Sequence, residues 1–157
     1  MEGQSARMFI EIVERLMERW GYGRTEGRIY AVLLLSAGAL TIAELAKRTN
    51  LSRSSVSVAL SKLVRDYLVT YRKEGKTKYF SAVPAFLEKF LQQPKEILER
   101  DVKPMQEIVA SLRENADEEK RRRYDALLDD LNTLECVLRK VIELEEKESA
   151  CLKERAA

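Results

Sequence analysis

The sequence predicts a mainly helical fold carrying one small β-hairpin, and three observations support this. Only six glycines and three prolines interrupt 157 residues, which leaves little chain for loops. Apolar residues recur at helical spacing through most of the chain, and the pattern changes to strand type only near residues 68–82. The C-terminal segment holds an apolar three–four repeat long enough for an arm of about 45 Å at 1.5 Å per residue.

Residues 5–19, SARMFIEIVERLMER, place Met8, Ile12 and Leu16, with Phe9, Val13 and Met17, on one side of a first helix, which GYG at 21–23 breaks. Thr25 is the expected cap of a second helix, whose body from Arg28 to Ser36 is apolar on most sides and so belongs in the core. TIAELAKRTN follows, with Thr41 and Glu44 at the spacing of a capping box. After a short turn Ser52 caps the next helix, whose expected core positions are Val56, Leu60, Leu63 and Tyr67. LVTYRK and TKYFSA then read as two strands around EGK, where Gly75 supplies the positive φ of a tight hairpin. Helix, helix, turn, helix, hairpin is the order of a winged helix-turn-helix.

Beyond Val83, Pro84 and Pro94 each open a helix, and Pro104 should kink or divide the second. Asp117 caps a long helix reaching at least Glu146, with a seam at Tyr124, Leu127, Leu131, Leu134, Leu138 and Val141. Glu145 and Glu148 weaken the seam further on. The expected organisation is an N-terminal helix over 1–24 packing on a dimerisation region, a winged helix-turn-helix over 25–83, and the helical dimerisation region itself over 84–157. The seam exceeds what one helix can hide, so pairing with a second copy of the chain is expected, the alternative being an intrachain bundle with residues 5–19 and 95–112.

The net charge of +2 conceals an asymmetry. Residues 25–83 carry ten basic against four acidic side chains, whereas 84–157 carry 14 against 18. A basic middle and an acidic tail suggest that the middle meets a polyanion. The chain has no histidine, no glycine-rich phosphate loop and no nucleophile motif, so no enzyme, metal or cofactor is expected. No stretch approaches a membrane span and no secretory signal is visible, which points to a reducing cytoplasm. Cys136 and Cys151 would lie about 22 Å apart along one helix and cannot bridge within it.

The helix after Ser52 presents Arg53, Ser54, Ser55, Ser57, Val58, Ser61, Lys62 and Arg65 outward. Serine stabilises a helix less than Glu or Lys would, but a small outer face lets a helix approach base edges in a major groove. Arg72, Lys73, Lys76 and Lys78 surround the hairpin tip, where a wing meets phosphate. With Thr41 and Ser52 at the helix N-termini, these residues form the candidate contact set for double-stranded DNA. The alternative is a winged-helix protein-interaction scaffold with a coiled-coil arm. Trp20, Tyr22 and Tyr30, with Phe9 and Tyr67, are candidates for an aromatic cage around a cationic effector, against the plainer reading of core packing.

GRIYAVLLLS at 27–36 and TIAELAKRTNLSRSSVSVALSKL at 41–63 resemble the winged helix-turn-helix of MarR-type transcriptional regulators, and more narrowly the GbsR branch. The resemblance covers roughly residues 5–83. It implies a homodimeric, cytoplasmic DNA-binding regulator, often a repressor, in some members with a small-molecule effector between the DNA-binding and dimerisation parts. Carried onto this chain, it makes Ser52–Asp66 the recognition helix and Tyr71–Tyr79 the wing.

Overall fold

The structure is a computed structural model that describes residues 2–147. The chain divides into two compact units, Met1–Ala85 and Phe86–Ala157. The first holds α1 (Glu2–Arg19), α2 (Arg24–Leu35), α3 (Ile42–Thr49), α4 (Arg53–Arg65), β1 (Val69–Glu74) and β2 (Thr77–Ala82). The second holds α5 (Phe86–Glu96), a π-helical stretch over Ile97–Val102, α6 (Lys103–Glu114) and α7 (Glu118–Lys147). The architecture of the first unit is a winged helix-turn-helix.

Its helix boundaries follow local chemistry. α1 ends in a Schellman motif: Gly21, at φ 88, lets Tyr22 N reach Met17 O at 3.0 Å and Gly21 N reach Glu18 O at 3.1 Å. Met17 and Tyr22, the two apolar residues such a motif brings together, are both buried. α2 begins two residues earlier than expected, with Gly23 rather than Thr25 at the cap position. α3 carries the expected capping box, Thr41 Oγ1 accepting from Glu44 N and Glu44 Oε2 accepting from Thr41 N. Ser52 Oγ accepts from Ser55 N at 3.0 Å and caps α4. β1 and β2 pair from Val69↔Ala82 to Glu74↔Thr77. Their two-residue loop has Gly75 at φ 61, as the sequence required. Leu40 adds a short third edge through two hydrogen bonds to Phe80, at 2.8 and 2.9 Å.

The core of this unit is built from Val13 and Met17 of α1, Ile29, Tyr30 and Leu33 of α2, Leu45 of α3, Val56, Leu60 and Leu63 of α4, and Leu68, Val69 and Phe80 of the wing. α1 therefore belongs with the winged helix, and residue 24 is not a packing boundary within the chain. The approach to α2 is close at Gly27, where a Cβ would stand 2.9 Å from Glu14 Cα.

Tyr67 departs from its expected core position. It is 83% exposed and holds φ 62. α4 closes in a second Schellman motif, Leu68 N to Leu63 O at 2.9 Å and Tyr67 N to Val64 O at 3.1 Å. The left-handed residue of that motif turns outward, and Leu68, 1% exposed, takes the core position instead.

In the second unit Pro94 does not open a helix but lies within α5. The chain then widens into the π stretch, whose closing bond runs from Lys103 N to Leu98 O. That wider turn ends immediately before Pro104, whose missing N–H and bulky ring an α-turn would not accommodate. α6 and α7 run antiparallel, as Arg113 with Asp125, and Gln106 with Asn132 and Glu135, establish. Leu98, Val102 and Leu138 form the centre of a small core, with Ile97 and Ile142 against it. Among the seam residues Leu131 and Leu138 are buried, Tyr124 and Val141 half-buried, and Leu127 and Leu134 exposed. Glu148 and Cys151 lie outside the described residues.

Candidate nucleic-acid interface

α4 shows the outward stripe that its sequence encodes. Val56, Ala59, Leu60 and Leu63 turn inward, so Arg53, Ser54, Ser57, Val58, Ser61 and Arg65 stay exposed on the other side. Val58 is 71% exposed, an apolar tip among small hydroxyls. Those hydroxyls are not equivalent. Ser52 and Ser55 are joined in the cap, their Oγ atoms 2.9 Å apart. Ser61 Oγ donates back to Ser57 O at 3.0 Å. Ser54 and Ser57 have no hydrogen-bond partner for their hydroxyls among the described residues. Thr41 is half-buried at the N-terminus of α3, its hydroxyl occupied by the capping box.

Lys62 is placed differently from the rest of the set. Its side chain leans toward α2, with Nζ 3.9 Å from Glu26 Oε1 and 4.9 Å above the Tyr22 ring. Tyr22 in turn donates its hydroxyl to Asp66 Oδ2 at 2.7 Å, while Arg65 Nε lies 3.8 Å from Asp66. Tyr22, Glu26 and Asp66 thus tether the end of α4. Sequence reasoning missed them, because Tyr22 and Asp66 stand 44 residues apart and no local pattern links them.

The wing concentrates charge. Lys73 and Lys78 are direct cross-strand partners, a like-charge pairing that destabilises a hairpin unless something outside neutralises it. Lys76 follows Gly75 in the loop. Arg72 is drawn back by Glu74 at 3.1 Å and sits 5.0 Å over the Tyr79 ring. Lys78 Nζ lies 4.6 Å over Tyr71. Arg53, Lys73 and Lys76 form no ion pair among the described residues. A cleft of about 270 Å³ separates α4 from the wing, bordered by Ser57, Ser61, Tyr71 and Lys78.

Two of the aromatic candidates serve the core. Tyr30 is fully buried, its hydroxyl donating to Val83 O at 2.6 Å and accepting from Ala85 N at 3.2 Å. Burial raises its pKa above the ordinary tyrosine value. Tyr22 is buried and committed to Asp66, and Tyr67 points to solvent. Both buried rings are core residues with satisfied hydroxyls, and Trp20 is half-buried. Within the basic stretch KRRR at 120–123, Arg122 pairs with Glu118 one turn back at 3.2 Å.

The first unit is thus a winged helix-turn-helix with a small-faced second helix and a cationic wing. Residues 16–85 match the family model of TrmB, the sugar-specific transcriptional regulators. That match covers most of the winged-helix unit and less than half of the chain, and it does not reach the narrower GbsR likeness. Among solved structures, a transcriptional regulator is 18% identical, with 92% of this chain and 99% of that one covered at TM-score 0.57. TrmBL2, an archaeal chromatin protein described as showing a novel mode of DNA binding, is 23% identical at TM-score 0.52, with 72% of this chain covered. This chain spans only 43% of TrmBL2. A Staphylococcus aureus MarR in complex with salicylate and kanamycin is 17% identical, with 85% of each chain covered at TM-score 0.42. No curated protein is significantly similar in sequence. No helix among the described residues is long and apolar enough to cross a membrane.

Proposed function

We propose that the protein binds an operator in duplex DNA as a homodimer and acts in the cytoplasm as a repressor, with a small molecule setting its affinity. The observation carrying this reading is the pairing of a bare outward stripe on α4, Ser54, Ser57, Val58 and Ser61, with the unneutralised lysines of the wing. A stripe of that size admits base edges, and the lysines supply phosphate contacts that fix register. Repression needs nothing beyond occupancy, because a bound domain occludes the duplex it covers. The sugar-specific description of the matching family supports a small-molecule signal.

Dimerisation has its own support. The second unit leaves Met105, Ile108 and Leu112 exposed along α6, and Leu127, Leu134 and Val137 exposed along α7. The α6 residues repeat by three and four and make an apolar face that a second copy would cover. Two substitutions separate the parts. Val58→Glu should abolish specific duplex binding while changing folding stability by no more than about 0.5 kcal/mol, as expected for an exposed site. Ile108→Arg should give monomers in sedimentation equilibrium and weaken operator binding. Unchanged operator affinity in Val58→Glu would remove α4 from the interface, and an Ile108→Arg dimer would remove α6 from the dimer contact.

A further inference from the structure

A second site lies away from the outward stripe of α4. An open groove of about 690 Å³ runs between α1, α2 and the last turn of α3. Arg7 and Arg15 line it from α1, Arg24 and Arg28 from α2, and Arg48 from α3. Two of the five are engaged, Arg28 Nε with Glu14 at 3.0 Å and Arg24 Nε with Glu18 at 3.4 Å. Arg7, Arg15 and Arg48 have no ion-pair or hydrogen-bond partner among the described residues. Glu11 is the third carboxylate of the lining, so positive charge is in excess. Ile10 and Val32, both half-buried, supply an apolar surface.

We propose that this groove binds a small organic anion carrying at least two negative charges, a phosphate ester or a polycarboxylate, and that its occupancy adjusts the seating of α4. Guanidinium forks suit carboxylate and phosphate oxygens. Three unengaged forks on two helices require more than one anionic group to satisfy them. The groove is far larger than a single inorganic ion, and a carbon skeleton would rest on Ile10 and Val32.

The route to α4 is short. Glu18 and Arg24 flank the linker that holds Tyr22, and Tyr22 is hydrogen-bonded to Asp66 at the end of α4 and stacked under Lys62. An anion that takes Arg24 from Glu18 releases one clamp on that linker and so shifts the Tyr22–Asp66 tether. The regulatory half of the proposal rests on α4 contacting DNA; the binding half does not.

The test uses the intact protein and three probes: inorganic phosphate, ribose 5-phosphate and citrate. Binding is followed by calorimetry and by the fluorescence of Trp20, the only tryptophan in the chain. Ribose 5-phosphate or citrate should bind at least about tenfold more tightly than inorganic phosphate, and the double variant Arg15→Ala, Arg48→Ala should lose about tenfold or more. Absence of binding by all three probes at about 10 mM, or binding indifferent to the double variant, would overturn the site. Duplex affinity is measured separately, with and without the bound probe. The probe should change it in the wild type, whereas Tyr22→Phe should keep the probe's affinity and lose its effect on the duplex. A probe that binds without changing duplex affinity overturns the regulatory coupling. A double variant that binds duplex more weakly with no anion present would make the groove a flank of the DNA interface and overturn the proposal.

Discussion

Alanine at Lys73 and Lys76 removes two wing cations that form no ion pair among the described residues. Each phosphate contact on duplex DNA contributes about 0.9 to the slope of log affinity against log salt, so losing two per protomer flattens the slope by about 1.8. Between about 50 and 200 mM salt, a fourfold change, that slope amounts to about 12-fold in affinity per protomer and about 150-fold for a dimer. Fluorescence anisotropy of a labelled duplex at several salt concentrations reads it directly. The loss should be nearly the same for an operator and a random duplex, since phosphate contacts carry no sequence information. Folding should not suffer, because Lys73→Ala also removes the repulsion with Lys78 across the hairpin, an effect of about 0.2–1 kcal/mol. An unchanged salt slope in a folded variant would show that the wing tip does not meet phosphate.

Three further outcomes follow from the same geometry. Tyr67→Gly should stabilise the fold by about 0.5–1 kcal/mol in chemical denaturation, the relief of a left-handed residue less the added freedom of the unfolded chain; a loss of stability would mean that the exposed ring makes a contact. Tyr30→Phe leaves the Val83 carbonyl and the Ala85 amide without their partner, and should cost about 1–3 kcal/mol. Because burial raises the Tyr30 pKa above the ordinary value of 10.0, its contribution is complete below that value and is lost as pH rises through the folded pKa. The gap between wild type and Tyr30→Phe should therefore narrow in strongly alkaline solution, and a gap independent of pH there would refute the assignment. Asp125 runs the other way. Arg113 holds its carboxyl below the usual range, so its contribution is present above the ordinary carboxylate pKa and fades as pH falls through the folded one. Asp125→Asn should differ from wild type in thermal unfolding near neutrality and converge with it in acid; a constant difference would discount the pair.

What could be read in the sequence was what local chemistry decides. Thr41 and Glu44 announce a capping box three residues apart, Ser52 a cap, and Gly75 a tight hairpin, and the stripe of serines follows from helical spacing alone. The failures all needed information from outside the local window. Tyr67 continued an apolar repeat, but α4 ended at Arg65, two residues before it, and left Leu68 to take the core place. Pro94 looked like a helix start, but it lies within α5, and a π stretch carries the chain on toward Pro104. Tyr22 and Tyr30 had the composition of a cage, yet their hydroxyls are spent on Asp66 and on the backbone at Val83 and Ala85. The arginine-lined groove was invisible for a like reason, since its cationic side chains come from three helices spread over residues 7–48.

The central claim, that α4 and the wing read an operator, is tested most directly by selecting bound duplexes from a random library and measuring the winners at two salt concentrations. The account predicts an enriched inverted repeat with half-sites about one helical turn, or 10–10.5 base pairs, apart, bound with steep salt dependence. A library that returns no enriched sequence, with only weak binding equal for every duplex, would contradict it and leave the winged helix as a surface for protein partners.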